Sequence, residues 1–381
     1  MIRRFILILL LATIAACSSE KDNSEPPAEL VEFEPTIQVN KLWDLSTGDG
    51  VQQQYLKLYP LILDDRIIVA DREGSITAVN IETGKRIWKV DLDLILSAGV
   101  GGNAEQYYVA TKDGEIVALN NEGKIVWRNQ ISSEVLVPPE PVDDRVIVRS
   151  VDGQIVALSN NTGKQDWNYQ REVPALSLRG NSRLIISYGR IYSGLDNGRL
   201  VVLDATDGKT LLDVAVAVPT GRSELERIVD IDGDAVLDNG VLYMASYQGR
   251  VVAIDIRRGQ LVWTRKLSTS TGIDVSTNSM FVADDRDHIW ALDRNNGATL
   301  WKQDKLMARQ VTRPAVMDDL VVTGDFEGYL HFMSQFDGHF VARVELDDSG
   351  ILVPPMTRDD KVFAISRDGR LAAYRVSKRA D

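Results

Sequence analysis

A turn residue recurs eight times along the 381 residues, and this recurrence constrains the fold more than any other feature. It is glycine at Gly74, Gly114, Gly153, Gly198, Gly249, Gly328 and Gly369 and aspartate at Asp287, with intervals of 40, 39, 45, 51, 38, 41 and 41. A period near forty residues marks one supersecondary unit that cannot bury its apolar side alone and must stack on copies of itself. Aspartate can stand in for glycine at Asp287 because its short side chain bonds locally and tolerates left-handed backbone.

Around each turn the unit reads strand, turn, strand, turn, strand. A run such as Arg145-Val146-Ile147-Val148 precedes the first turn, and a second glycine follows about ten residues later, at Gly84, Gly123, Gly163, Gly208, Gly259, Gly297 and Gly338. Four residues beyond it stands tryptophan in five units (Trp88, Trp127, Trp167, Trp263, Trp301), replaced by Leu212 and Ala342 in two others. These strands read as period-two elements bounded by turn residues. A further strand precedes them. Pro60, Pro139, Pro314 and Pro355 each lie fourteen residues before their turn glycine, and proline, lacking an amide donor, is confined to edge strands or strand starts. That strand is therefore predicted to edge the unit on the side of a central channel. Four-stranded antiparallel units of this length are propeller blades, so the fold class is all-β, an eight-bladed β-propeller. The last unit ends at the chain terminus one strand short, whereas Gln38–Leu45 precedes the first unit and carries Trp43. The N-terminal strand is predicted to complete the last blade and close the ring. The tryptophans are read as packing between blades, each burying on the order of 200 Å².

Upstream of the ring, Arg3 and Arg4 precede an apolar run over Phe5–Ile14 and then Ala15, Ala16 and Cys17. This is the layout of a secretory signal, and the run is too short to span a bilayer. Ile14-Ala15-Ala16-Cys17 resembles the bacterial lipobox, in which the cysteine becomes the acylated first residue; leucine is commoner where Ile14 stands. Ser18 follows, and the resemblance implies outer-membrane sorting because an aspartate there would favour retention in the inner membrane. Residues 1–16 are accordingly a signal, 17–35 a lipidated cysteine and polar, acidic tether with little to bury, and 36–381 the propeller. Cys17 is the only cysteine, so no disulfide, thiol nucleophile or cysteine-held metal is available. A formal net charge of −12 argues against nucleic acid as a partner and against a basic membrane-binding patch.

The unit Asp-Gly…Ala-Leu-Asp…Thr-Gly-Lys…Trp, clearest over Gly74–Trp88 and Gly249–Trp263, resembles the pyrroloquinoline-quinone-type propeller repeat over nearly all of Gln38–Lys378. The lipobox, eight such blades and the segment Ala175-Leu176-Ser177-Leu178-Arg179-Gly180 together resemble the BamB family, lipoproteins of the β-barrel assembly machinery. The resemblance implies a non-enzymatic scaffold on the periplasmic face of the outer membrane. It implies binding to the periplasmic domains of BamA, to other lipoproteins of the machinery and to nascent outer-membrane proteins, with lipid reached through the anchor alone. It assigns partner contact to a Leu-Ser-Leu-Arg loop and an Asp-x-Asp loop, which fall here on Leu176, Leu178 and Arg179 and on Asp230 and Asp232. Both precede the turn glycines where the spacing widens to 45 and 51 residues. Added length between blades goes into loops, and loops carry function. The competing reading places Leu176 and Leu178 on the buried face of a strand.

Enzymatic readings find less support. Quinoprotein dehydrogenases share the repeat, but the resemblance brings with it a disulfide between adjacent cysteines that a single cysteine cannot form. A periplasmic sensor using the central channel is the other alternative. Asp230-Ile231-Asp232-Gly233-Asp234 begins like a calcium loop, yet the sixth and twelfth positions are Ala235 and Val241 rather than Gly and Glu. His288, His331 and His339 show no metal-ligand spacing, and Gly99, Gly101 and Gly102 read as a loop between blades. No cofactor, metal or catalytic residue is expected.

Overall fold

The computed structural model describes residues 25–178 and 182–379. Cys17 and Arg179 lie outside these residues. Among the described residues are eight four-stranded antiparallel sheets, seven of them formed from four consecutive strands. Blade one is β2 (Leu61–Ile62), β3 (Arg66–Ala70), β4 (Ser75–Asn80) and β5 (Arg86–Asp91). The eighth takes its outermost strand, β1 (Ile37–Ser46), from the other end of the chain; it runs antiparallel to β32 (Arg370–Lys378), with Trp43 opposite Ala373. The ring is closed by the N-terminal strand as predicted.

The core comprises eight apolar layers, one between each pair of neighbouring blades. The layer between blades eight and one joins Phe363, Leu371 and Ala373 to Ile67, Val69 and Val79. Because each blade is covered on both sides, the two middle strands are buried throughout and carry continuous apolar runs. Val146, Ile147 and Val148 are all buried, so the expected alternation holds only for outer strands such as β5, whose residues alternate between exposed and half-buried.

The tryptophans make the joints. An alanine Cβ at Gly84, Gly123, Gly163, Gly208, Gly297 or Gly338 would come within 3 Å of the indole of Trp43, Trp88, Trp127, Trp167, Trp263 or Trp301 respectively. Each indole N–H donates to a backbone carbonyl of the next blade, at Ile81, Asn121, Asn160, Ala205, Arg294 and Gln335. Leu212 fills the same place against Gly259. Ala342 needs no indole, since blade eight is completed by two strand ends, where Ile37 faces Lys378, and has no glycine turn to receive one.

Of the turn residues, Asp287 does adopt left-handed backbone (φ +67°), while at Gly249 the positive φ falls on Gln248 instead. Gly99, Gly101 and Gly102 belong to a strand, β6 (Leu96–Gly102), and not to a loop. It is the inner strand of blade two, and a Cβ on Gly101 would meet the Pro139 carbonyl oxygen at 1.7 Å. Crowding at the channel, where inner strands converge, excludes side chains there.

Two faces follow from this connectivity. One carries the eight glycine-type turns together with the loops that run from an outer strand to the next blade's inner strand. Backbone bonds tie the two sets, as from Tyr247 N to Asp230 O (2.9 Å) and from Phe326 N to Arg309 O (3.1 Å). The opposite face carries the hairpins that the tryptophans grip.

The tether expected over 17–35 is not free along its described part. Ala28 N donates to Met307 O and Thr36 N to Val341 O, both at 2.9 Å, and Phe33 stacks on Phe340 with centroids 5.6 Å apart. Composition hid this, because the contacts are mostly to backbone.

Candidate functional site

Two inter-blade loops stand out by length. One joins Gln170 of blade three to Ile185 of blade four; the other joins Ala215 of blade four to Val236 of blade five. The second passes beneath the first. Ile231 is fully buried, and its Cγ2 lies 2.3 Å from where a Cβ on Gly194 would stand, so glycine there lets the loop descend.

That descent brings the two predicted segments together. The Leu178 amide donates to Asp230 Oδ2 at 2.5 Å, and five residues on the Arg183 amide donates to Asp234 Oδ1 at 3.2 Å. Leu176 and Leu178 are 40% and 39% exposed, on irregular backbone. They are not the buried face of a strand. Neither predicted aspartate is a solvated acid. Asp230 is 1% exposed, and its Oδ1 and both carboxylate oxygens of Asp232 are buried without a hydrogen-bond partner. Burial pushes the Asp230 carboxyl up to about 6. Burial, reinforced by the negative charges of Asp230 and Asp196, pushes Asp232 up to about 7.

Among the described residues the opposing cations are Lys57, which acts on Asp232, and Arg149, itself buried and committed to Asp196 at 2.8 Å. Sequence reasoning overlooked Arg149, although a signal was present. The corresponding strand ends in blades one, four, five, six, seven and eight are Ala70, Gly194, Ala245, Ala283, Gly324 and Ile365, so one arginine stands in a place reserved for small or apolar residues.

Beside Leu178 the channel opens into a cavity of about 500 Å³, lined among others by Tyr55, Lys57, Tyr59, Leu136, Leu178 and Asp232. A polar belt crosses the channel there. Tyr59 Oη donates to Asp234 Oδ2 on the opposite blade (3.4 Å), Arg313 approaches Asp234 and Asp274 at 3.8 and 3.6 Å, and Arg183 pairs with Glu140 at 2.9 Å. Asp234 thus faces cations and a phenol, which is not the environment of a calcium ligand. Among the described residues no group of three His, Cys, Asp or Glu side chains is arranged to hold a metal. His288, His331 and His339 each pair with one aspartate. Nor is any helix among these residues long and apolar enough to cross a membrane.

A crystal structure of BamB from Moraxella catarrhalis superposes with TM-score 0.81 at 23% identity, covering 89% of this chain and 100% of that one. Quinohemoprotein alcohol dehydrogenase from Comamonas testosteroni is similar at TM-score 0.70 and 14% identity, over 90% of this chain and 77% of that one, a likeness of fold alone. In sequence, outer membrane protein assembly factor BamB of Kangiella koreensis is 38% identical over 368 residues, covering 96% of this chain and 94% of that protein. The Pseudomonas aeruginosa protein of the same name is 37% identical over 371 residues, covering 97% and 98%. The profile of the family described as outer membrane protein assembly factor BamB matches residues 72–303, and with these relatives it shows that the chain belongs to the BamB family.

Proposed function

We propose that the chain is an outer-membrane assembly factor and not an enzyme, held by an acyl group on Cys17 at the periplasmic face of the outer membrane. It docks the periplasmic domains of BamA through Leu176, Leu178 and Arg179 with Asp230 and Asp232. The observation that carries this reading is the Leu178–Asp230 bond, which fastens two extended loops into one patch and leaves two leucines in solvent. Interface energy concentrates in a few residues, with arginine enriched among them, and a rigid ring presents them at little entropic cost. Asp230 supports the loop from below, and neither aspartate meets the partner as a solvated charge. Other lipoproteins of the machinery and nascent outer-membrane proteins would gather on the assembly so formed.

The test substitutes Leu178→Asp and Arg179→Ala together and measures capture of the purified periplasmic region of BamA. At least a hundredfold weaker binding is expected, with a melting temperature close to the parent's. Collapse of melting as well would assign the pair to the core, and unchanged binding would move the contact elsewhere on the ring.

A further inference from the structure

Strand β1 begins at Ile37 on the face opposite the long loops, since Ile37 pairs with Lys378 while Ser46 pairs with Arg370 beside the Gly369 turn. Left free, the preceding residues would leave the ring from that opposite face. They do not. From Thr36 the chain doubles back along the outer strand of blade seven (Phe340–Glu345) and reaches the loop face at Ala28, against Met307 and Arg309 of the loop between blades six and seven.

Two arginines hold this strap by its backbone. Arg309 Nη1 donates to Ala28 O at 3.0 Å and Arg343 Nη1 to Val31 O at 3.1 Å. The Arg343 guanidinium also lies over both Phe33 and Phe340, 5.1 and 5.5 Å from their centroids. Both arginines are set from beneath. Arg309, 2% exposed, donates through Nε to the buried Asp325 at 2.8 Å and pairs with Glu327. His331, fully buried, is bonded through Nε2 to Asp325 (2.9 Å) and accepts from Arg343 Nε at Nδ1 (3.2 Å). Five other blades supply a comparison. At the position before the joint residue, Ile87, Val126, Leu211, Val262 and Leu300 are 43–51% exposed, whereas Val341 beneath the strap is half-buried.

We propose that this strap fixes which surface of the ring is turned to the membrane: the loop face, at the rim of blades six and seven, lies toward the lipid headgroups. The inference rests on the acyl anchor at Cys17. Eleven residues separate Cys17 from Ala28; a chain of that length has a root-mean-square reach of about 17–20 Å and spans about 38 Å at full extension. The six-residue outer strand that separates the two faces is itself about 20 Å long. An anchor leaving at Ala28 therefore keeps the loop face near the bilayer, and the candidate partner loops share that face. Without the clamp, twenty residues would separate Cys17 from Ile37 on the opposite face, and the preference would be lost.

The test uses the full acylated chain bound to phosphatidylethanolamine–phosphatidylglycerol vesicles containing a headgroup spin-labelled lipid. A fluorophore is placed in blade six on either face, at Asp285→Cys or Asn295→Cys. Quenching at 285 is expected to exceed that at 295 at least threefold, and the ratio to fall toward one in Arg309→Ala/Arg343→Ala. Because a buried arginine is hard to remove, a second variant replaces residues 28–35 by Gly/Ser of equal length and should give the same loss. Equal quenching in the bound parent, or a ratio that survives both variants, overturns the orientation alone. A parent chain that stays in the supernatant overturns the anchor, and this proposal with it.

Discussion

At the scale of single residues, the buried carboxylate oxygens left without a partner on Asp230 and Asp232 have a measurable cost. Asp230, Asp232 and Asp196 share one buried guanidinium, Arg149, which is already bonded to Asp196. Folding raises Asp230 to about 6 and Asp232 to about 7, above the ordinary value near 3.9 in the unfolded chain. Between about pH 4 and 7 the native state therefore holds more protons than the unfolded state, and stability falls as pH rises through this window. Asp232→Asn, which cannot ionise, should be more stable than the parent by on the order of 2 kcal/mol at pH 8. The advantage should fall to well under half of that at pH 5 and nearly vanish below pH 4, measured by urea unfolding at pH 8, 5 and 3.5. An advantage that does not change with pH would place the effect in packing and not in charge.

At the scale of elements, legibility tracked how local the cause was. Turn residues, outer strands and the joint tryptophans are dictated by a few neighbouring residues, and each was readable. The burial of both faces of Val146–Val148 is dictated by two other blades, so the run read as alternating. The long loops betrayed themselves by spacing, but the depth of Asp230 depends on the missing side chain of Gly194, far away in sequence. The strap was illegible for another reason: its partners Arg309 and Arg343 grip carbonyls, which every residue has. A chain beginning at Ile37 should consequently lose the Phe33–Phe340 stack and expose Val341. We expect a loss of about 2 kcal/mol, as for uncovering one large side chain, read as a shift in the urea midpoint with slope nearly constant. No shift would mean that the strap is held too weakly to orient anything.

For the whole molecule, closure is the governing fact, because each of the eight apolar layers needs two blades. Trp43 contributes the joint that spans the two ends of the chain, its indole on Gly84 and its N–H on the Ile81 carbonyl. Trp43→Ala should cost about 3 kcal/mol, the lower end for a large buried aromatic. Trp43→Leu should recover part of that, since Leu212 already serves blade four in this way. Equal stability of Trp43→Ala and the parent would show that β1 is dispensable to the ring.

The pairing of β1 with β32 also sets an order of events. A chain that emerges N-terminus first presents Ile37–Ser46 long before Arg370–Lys378 exists to receive it. Contacts between such distant segments are the slowest to form, and an unpaired strand is an invitation to wrong neighbours in the meantime. The earliest strand to appear is thus the last to find its place, and until the final residues arrive the molecule is a row of seven blades with both ends open.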